Sequence, residues 1–213
     1  MDLQTAKIFI SKGENGFVEF KKKANHPEKI IREVVAFSNS EGGHLFVGVD
    51  DDGTISGLKY PEEDEFILNK AIAELCRPKV DYEVELLKFH TGRSILHYEI
   101  KEGLKKPTYA FLNKKHRYGK AFIRLQDRSI QASYEMRKFL SRKETTESLI
   151  SFEESTTQLF KFFEENSAIT LSQYRQLFGL NKKLASSKLV SLALSGALKI
   201  EPREGEDLFV PVQ

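Results

Sequence analysis

The sequence predicts an α+β protein, in which a mixed or antiparallel sheet with flanking helices is followed by a smaller domain of three helices and a β-hairpin. Two observations predict this class. Over the first 140 residues, short segments that alternate apolar with polar residues recur between segments of helical period. After a polar stretch at 141–150, helical periodicity dominates until two short strand-like segments near the end.

Turn and breaker residues set the order of the elements in the first domain. The Asn15–Gly16 pair forms a turn before strand 17–21, and Pro27 suits the first position of a helix that ends at Gly42. The last two strands before residue 130 are expected to pair as a hairpin around a basic loop. We predict strands at 17–21, 44–49, 54–56, 80–89, 94–100, 108–112 and 121–125, and helices from Pro27, over 66–75 and over 132–140.

The remaining residues have the layout of a winged helix-turn-helix, in which three helices precede a hairpin. Ser172 and Asn181 are suitable N-caps for its second and third helices. We predict helices at 152–165, 171–178 and 182–195 and strands at 198–201 and 208–212. The expected division is a first domain at 1–140, a linker at 141–150 and a winged helix domain at 151–213.

Composition excludes several classes of protein. The chain has no apolar run near the roughly 18 residues of a membrane helix, and its first residues lack the basic-then-apolar layout of a secretory signal. A single cysteine excludes an internal disulfide, and five scattered histidines give no zinc-ligand spacing. We therefore expect a cytoplasmic protein with no membrane partner.

The net charge of +2 conceals a strongly basic window at 101–128, where nine basic residues face two acidic ones. Aromatic residues are interleaved with these cations, a combination suited to phosphates and unpaired bases. The alternative is a solvated hairpin tip whose aromatic rings point into the core. The first-domain residues that we expect to contact DNA or RNA are Lys21, Lys114, Lys115, Arg117, Lys120 and Arg124.

The third helix of the second domain carries a second basic cluster. Lys182, Lys183 and Lys188 lie opposite an apolar face, as in a recognition helix that enters the major groove. The following hairpin is acidic, with Glu204, Glu206 and Asp207 around Arg203. A partner-contact or dimerisation role for this domain therefore stays open.

The first domain also carries a constellation of carboxylates. Glu14 precedes the first strand, Glu19 lies on it, and Asp50 and Asp51 follow the second strand. Glu19 and Lys21 share a face because side chains alternate along a strand. Three carboxylates and a lysine would suit a phosphodiesterase that uses Mg²⁺ or Mn²⁺, with Glu14, Glu19 and Asp50 as ligands. The alternative is a set of ordinary solvated turn acids.

These residues resemble the Schlafen AlbA-type domain (AlbA_2, formerly the divergent AAA domain) over about residues 10–140. The resemblance rests on Glu14-x-x-x-x-Glu19-Phe20-Lys21, on the helix end from Ala36 to Gly43, and on Leu45 to Gly53. Bacterial members are described as DNA-binding proteins or transcriptional regulators, often with a C-terminal winged helix, so the resemblance implies that role here. The family usually has glycine where this chain has Gln126.

The resemblance also implies an alternative activity. In animal Schlafen proteins the equivalent pattern forms an endoribonuclease site of two glutamates and an aspartate, which maps onto Glu14, Glu19 and either Asp50 or Asp51. Animal Schlafens use a duplicated arrangement that one copy reproduces only as a homodimer. The sequence thus predicts a DNA-binding regulator, with a metal-dependent nuclease for structured RNA or a protein-interaction module as alternatives. ATPase activity is not indicated, because no Walker lysine motif is present.

Overall fold

The structure is a computed structural model that describes residues 1–89, 92–112, 117–142 and 154–212. The chain divides into two compact units, residues 1–131 and 132–213. The helix that we predicted at the end of the first domain, 132–140, falls in the second unit. The predicted linker at 141–150 lies mostly outside the described residues.

The first unit combines three helices with a mixed sheet, which confirms the predicted α+β class. The elements of the first unit are α1 (Leu3–Ser11), β1 (Val18–Lys21), α2 (Pro27–Asn39), β2 (Gly43–Val47), α3 (Pro61–Leu75), β3 (Cys76–Arg77), β4 (Tyr82–Lys88), β5 (Ser94–Ile100), β6 (Tyr109–Ala110), β7 (Phe122–Leu125) and β8 (Arg128–Gln131). The main sheet has the order β1-β2-β5-β4, in which β1 is parallel to β2 and the other pairs are antiparallel.

Both faces of the main sheet are covered. The larger core includes α2 and α3, with Ile31, Val34 and Leu68 fully buried against strand residues such as Leu45 and Tyr98. On the smaller core, Ala6 and Ile10 of α1 pack with Val18, Phe20 and Phe46 of the sheet. The helix α1 was not predicted from the sequence. Its signature is present, because the Asp2 carboxylate caps the helix by accepting the Thr5 N–H at 2.8 Å.

The helix α2 runs from Pro27 to Asn39, as its proline and apolar spacing predict. It ends where the chain turns into β2 through two glycines. Gly42 has φ +81°, and a Cβ there would lie 2.7 Å from the Ile100 carbonyl oxygen. Only glycine therefore fits this close approach of two backbone segments.

Of the predicted hairpin between 108–112 and 121–125, the described residues contain one antiparallel bridge, in which Ala110 and Lys120 exchange two backbone hydrogen bonds. In addition β6 pairs with β3, and β7 pairs with β8. The turn that joins β7 to β8 contains Gln126 with φ +56°. This is the position at which the family usually has glycine, so the chain tolerates a left-handed conformation that costs a non-glycine residue roughly 1 kcal/mol.

The second unit contains four helices and a three-stranded antiparallel sheet of order β10-β11-β9. The helix α4 packs on α7. The second helix of the predicted winged helix is capped by Thr170, in a capping box with Gln173, and not by Ser172 as we predicted, whereas Asn181 caps the third as expected. The elements are α4 (Tyr134–Arg142), α5 (Glu154–Glu165), β9 (Ile169–Thr170), α6 (Leu171–Phe178), α7 (Lys182–Leu194), β10 (Leu198–Glu201) and β11 (Leu208–Pro211).

Among the described residues, no helix combines the length and the apolar character that crossing a bilayer requires.

We predict that Gln126→Gly raises the free energy of unfolding by about 1 kcal/mol, because glycine adopts φ +56° without strain. Urea unfolding followed by circular dichroism measures this change. The matched control is Gln131→Gly on the strand β8, which is expected to lower stability by about 0.5–1 kcal/mol. Destabilisation by both changes would contradict the assigned turn.

Candidate nucleic-acid interface and carboxylate cluster

Arg124 of β7 lies at the centre of a buried ionic network. Its Nη1 is 3.0 Å from Glu19 Oε2 of β1 and 2.6 Å from Glu33 Oε2 of α2. Its Nη2 donates to the Asn15 carbonyl oxygen at 2.7 Å, and the Ser129 hydroxyl donates to Glu33. One guanidinium therefore joins the first strand, the segment before it, α2 and the β7–β8 hairpin.

This location corrects the expectation that Arg124 contacts phosphate. Its side chain is only 3% exposed, and its guanidinium carbon lies 4.7 Å from the centre of the Phe37 ring. Both charged partners are internal carboxylates. Arg124 is therefore part of the interior of the first unit and is not presented to a nucleic acid in this structure.

Glu19 is held by two cations. One carboxylate oxygen pairs with Arg124, and the other pairs with Lys21 of the same strand. Lys21 also donates to the Phe20 carbonyl oxygen at 2.7 Å. With Glu33, the cluster contains two carboxylates and two cations, so its formal charge balances. A charge-balanced group of this kind is tolerated at low exposure, whereas one unpaired member would be costly.

Burial raises the pKa of the Glu33 carboxyl above its ordinary value, and the charge of Glu19 adds to this effect. The hydrogen bond from Ser129 and the charge of Arg124 oppose it. Glu33 did not emerge from the sequence analysis. Glu33 lies three residues after Ile30 and four before Phe37, both buried, and this helical spacing is the sequence signal that the acid faces inward.

Glu14 lies near Glu19 but is held by the backbone. Its Oε1 accepts the Phe20 N–H at 2.8 Å. Burial raises the pKa of the Glu14 carboxyl, and the charges of Glu19 and Asp51 raise it further, against the lowering effect of that hydrogen bond. Glu14 therefore lies in the electrostatic field of both Glu19 and Asp51.

Asp50 is not placed as the metal ligand that we predicted. Its carboxylate pairs with Lys22 Nζ at 2.8 Å, and this hydrogen bond lowers the pKa of Asp50. Within the described ranges, no three histidine, cysteine or carboxylate side chains are placed to share a metal ion. Since Glu19 already holds two cations, the present arrangement does not fit a divalent ion bound by Glu14, Glu19 and Asp50.

The described part of the basic loop is exposed. Arg117 and Lys120 face solvent, and Tyr118 is 76% exposed with the Arg117 guanidinium 5.7 Å from its ring centre. Lys114 and Lys115 lie outside the described residues. Arg117, one of the predicted contact residues, therefore stands beside an exposed aromatic ring of the kind that stacks on bases.

The helix α7 presents its first lysines to solvent. Lys182 and Lys183 are exposed, whereas Lys188 is half-buried. The opposite face is buried through residues such as Leu189 and Val190. The lysines at the start of α7 are accordingly placed for contact with a partner.

The acids of the β10–β11 turn are largely engaged within the second unit. Glu206 Oε1 accepts the Ser172 N–H and hydroxyl, both at 2.8 Å, near the start of α6. Asp207 is 5% exposed and accepts a hydrogen bond from the Ser133 hydroxyl, while burial raises the pKa of its carboxyl. Asp207 thus belongs to the interior of the second unit, whereas Glu206 makes its hydrogen bonds at an exposed position and the turn stays acidic on its outer side.

We predict that Arg124→Met lowers the free energy of unfolding by about 3–5 kcal/mol, because it leaves Glu19 and Glu33 partly buried without their common cation. Adding Glu33→Gln should restore part of that loss. Urea unfolding of both variants measures the coupling. The control is Arg117→Met, an exposed arginine whose loss is expected to change stability by less than about 0.5 kcal/mol. Equal effects of Arg124→Met and Arg117→Met would rule out the network.

Two solved structures are similar to parts of the chain. The N-terminal domain of a RecG-related protein from Nitrosomonas europaea is 23% identical, and the match covers 56% of this chain and 88% of that domain with a TM-score of 0.43. The DIP2311 protein from Corynebacterium diphtheriae is 13% identical, and the match covers 97% of this chain and 49% of that protein with a TM-score of 0.46. The chain thus spans about half the length of the Corynebacterium protein.

The family comparison covers the first unit. Residues 14–133 match the Schlafen AlbA_2 family model. This segment begins at Glu14 and includes the Arg124 network and the basic loop. The family points to a nucleic-acid-binding role for the matched domain. With more than half of its residues matched, the chain belongs to the Schlafen AlbA_2 family.

Proposed function

We propose that the chain is a cytoplasmic DNA-binding transcriptional regulator, in which the AlbA_2 domain contacts nucleic acid and the second unit acts as a winged helix. Family membership supports the nucleic-acid role. The order of α5, α6, α7 and the β10–β11 hairpin supports the winged helix. A homodimer would place two such units on half-sites about one DNA turn apart.

The connection between α6 and α7 carries the proposal. The two helices are separated only by residues 179–181, with Gly179 in a left-handed conformation at φ +61°. A three- to four-residue turn that contains glycine is typical of the helix-turn-helix motif. The second helix then begins at the Asn181 cap with Lys182 and Lys183 exposed, in the part of a recognition helix that contacts DNA.

The burial of Asp207 reduces an objection to this assignment. An acidic hairpin would repel DNA phosphates if its carboxylates faced outward. Asp207 is buried, whereas Glu204 and Glu206 are exposed, and Glu206 keeps its charge while it accepts hydrogen bonds near the start of α6. The exposed lysines of α7 therefore meet one carboxylate fewer than the sequence suggests.

We expect the double change Lys182→Ala and Lys183→Ala in the full chain to weaken binding to duplex DNA. Each lysine that neutralises a phosphate contributes about 1 to the salt slope, so the slope of log K against log salt should fall by about 2. Fluorescence anisotropy with labelled duplex at several salt concentrations measures this. The matched control is Lys161→Ala with Lys199→Ala, which removes the same charge from exposed positions outside α7. Equal losses in the two variants would argue against α7 as the recognition helix.

A second candidate function is endoribonuclease action on structured RNA with Mg²⁺ or Mn²⁺. The observation that favours it is the partial burial of Glu14, which raises the pKa of its carboxyl, with a smaller raising effect from the charges of Glu19 and Asp51. Asp51, in an exposed turn, is the better candidate than Asp50 because Asp50 is paired with Lys22. The cation pairs on Glu19 stand against a metal in the present arrangement.

This alternative predicts that purified protein cleaves tRNA in the presence of Mn²⁺ and that Glu14→Gln and Asp51→Asn abolish cleavage. Asp52→Asn is the control, because it removes a neighbouring exposed carboxylate from the same turn. Gel analysis of the RNA gives the result. Intact RNA with the unmodified protein, or equal cleavage by all variants, would contradict the nuclease hypothesis.

A third candidate, a protein-interaction module, was motivated by the acidic hairpin. It would gain support only if the unmodified chain failed to bind DNA and RNA at physiological salt. The same anisotropy titrations therefore separate it from the regulator.

A further inference from the structure

A groove of about 450 Å³ lies between the end of β1 and the start of α2, entirely within the first unit. We call it the lysine groove. Its lining includes four lysines and a histidine and no carboxylate. The polar residues of the lysine groove are Lys21, Lys22, Lys23, Asn25, His26 and Lys29.

Two of these lysines are without a countercharge. Lys21 pairs with Glu19, and Lys22 pairs with Asp50. Lys23 and Lys29 are exposed, and neither makes an ion pair with any residue that the structure describes. The lysine groove therefore keeps a surplus of positive charge that an anionic partner would neutralise.

Contacts with the larger core and with α3 fix the backbone of the lysine groove. Ala24 is completely buried in the larger core, and its N–H donates to Asp64 Oδ1 of α3 at 2.7 Å. Pro27 begins α2 directly after the loop, and Ile30 is 2% exposed. The lysines thus project from a fixed loop between two anchored residues, which reduces the ordering that binding requires. Asp64, the nearby acid of α3, is occupied by this backbone contact.

The start of α2 adds a smaller contribution. His26 occupies the N-cap position without a side-chain hydrogen bond to the helix. The free end of a helix carries a partial positive charge. Glu28 in the first turn, whose Oε1 lies 3.8 Å from His26 Nδ1, opposes this contribution, so the lysines are the main source of the positive field.

We propose that the lysine groove binds backbone phosphates of a nucleic-acid strand without regard to base sequence; this inference rests on the proposed nucleic-acid-binding function. Lysine ammonium groups act as point charges and suit phosphate oxygens that approach from several directions. No arginine lines the groove, so recognition there is by point charge and not by a bidentate fork. The contact supplements α7, which would supply sequence discrimination.

The test compares two full-length variants of equal charge. In the first, Lys23→Gln and Lys29→Gln remove the unpaired lysines. In the control, Lys79→Gln and Lys88→Gln remove two exposed lysines of the same unit that lie outside the groove. Circular dichroism melting verifies that both fold.

Anisotropy titrations use two duplexes of unrelated sequence and one single strand. The groove variant should bind all of them at least about tenfold more weakly at about 0.1 M salt, with a salt slope lower by about 2, and the control should change little. Affinity equal to that of the control would overturn the groove assignment and leave the proposed function standing.

If the unmodified chain binds no nucleic acid, the proposed function fails. Calorimetry with inorganic tripolyphosphate then tests whether the groove binds phosphate. Calorimetry that shows tripolyphosphate binding lost only in the Lys23→Gln, Lys29→Gln variant would keep a phosphate site there. Binding of tripolyphosphate that is unchanged in this variant, or absent from the unmodified chain, would overturn the site. Binding to anionic phospholipid vesicles alone would likewise overturn it.

Discussion

The first unit depends on a single buried cation. Arg124 reaches from β7 to Glu19 on β1 and to Glu33 on α2, and it also holds the Asn15 carbonyl oxygen. These segments are far apart in the chain, so the guanidinium fixes a long-range arrangement that no local propensity dictates. Lys21 completes the charge balance of the cluster. The arrangement holds because each charge has a partner, and the loss of one partner would leave another charge buried alone.

This constraint separates structural charge from charge that is available to a partner. Arg124 is paired in the interior, Lys21 forms an ion pair with Glu19, and Lys22 forms one with Asp50. Exposed cations outside these pairs include Lys23 and Lys29 of the lysine groove, Lys182 and Lys183 at the start of α7, and Arg117 and Lys120 of the basic loop. The net charge of +2 therefore does not show where unpaired cations lie, which depends on the pairing of each lysine and arginine.

The fold was largely predictable where local chemistry determines it. Pro27 and the apolar spacing of α2 predicted that helix, and alternation predicted β4 and β5. Around the basic loop, the Ala110–Lys120 bridge is the part of the predicted hairpin found among the described residues. The pairing of β6 with β3 was not predicted, because a two-residue strand has no periodicity to detect. Alternation places Phe122 and Arg124 on one face but cannot tell which face is covered by α2. The lysine groove was not predicted, because Lys23 lies in a loop and Lys29 in the first turn of α2, and no periodic pattern relates a loop residue to a helical one.

The double neutralisation of Glu19 bears on how a family signature is interpreted in evolution. A glutamate that recurs in a sequence pattern is commonly taken as a mark of shared chemistry. In this chain the same glutamate is required as the countercharge of a buried arginine, so selection for folding alone would retain it. A lineage could lose every catalytic function and still carry the pattern Glu-Phe-Lys unchanged. The signature therefore reports common ancestry and a common core, and activity has to be established from the exposed members of the pattern, such as Asp51.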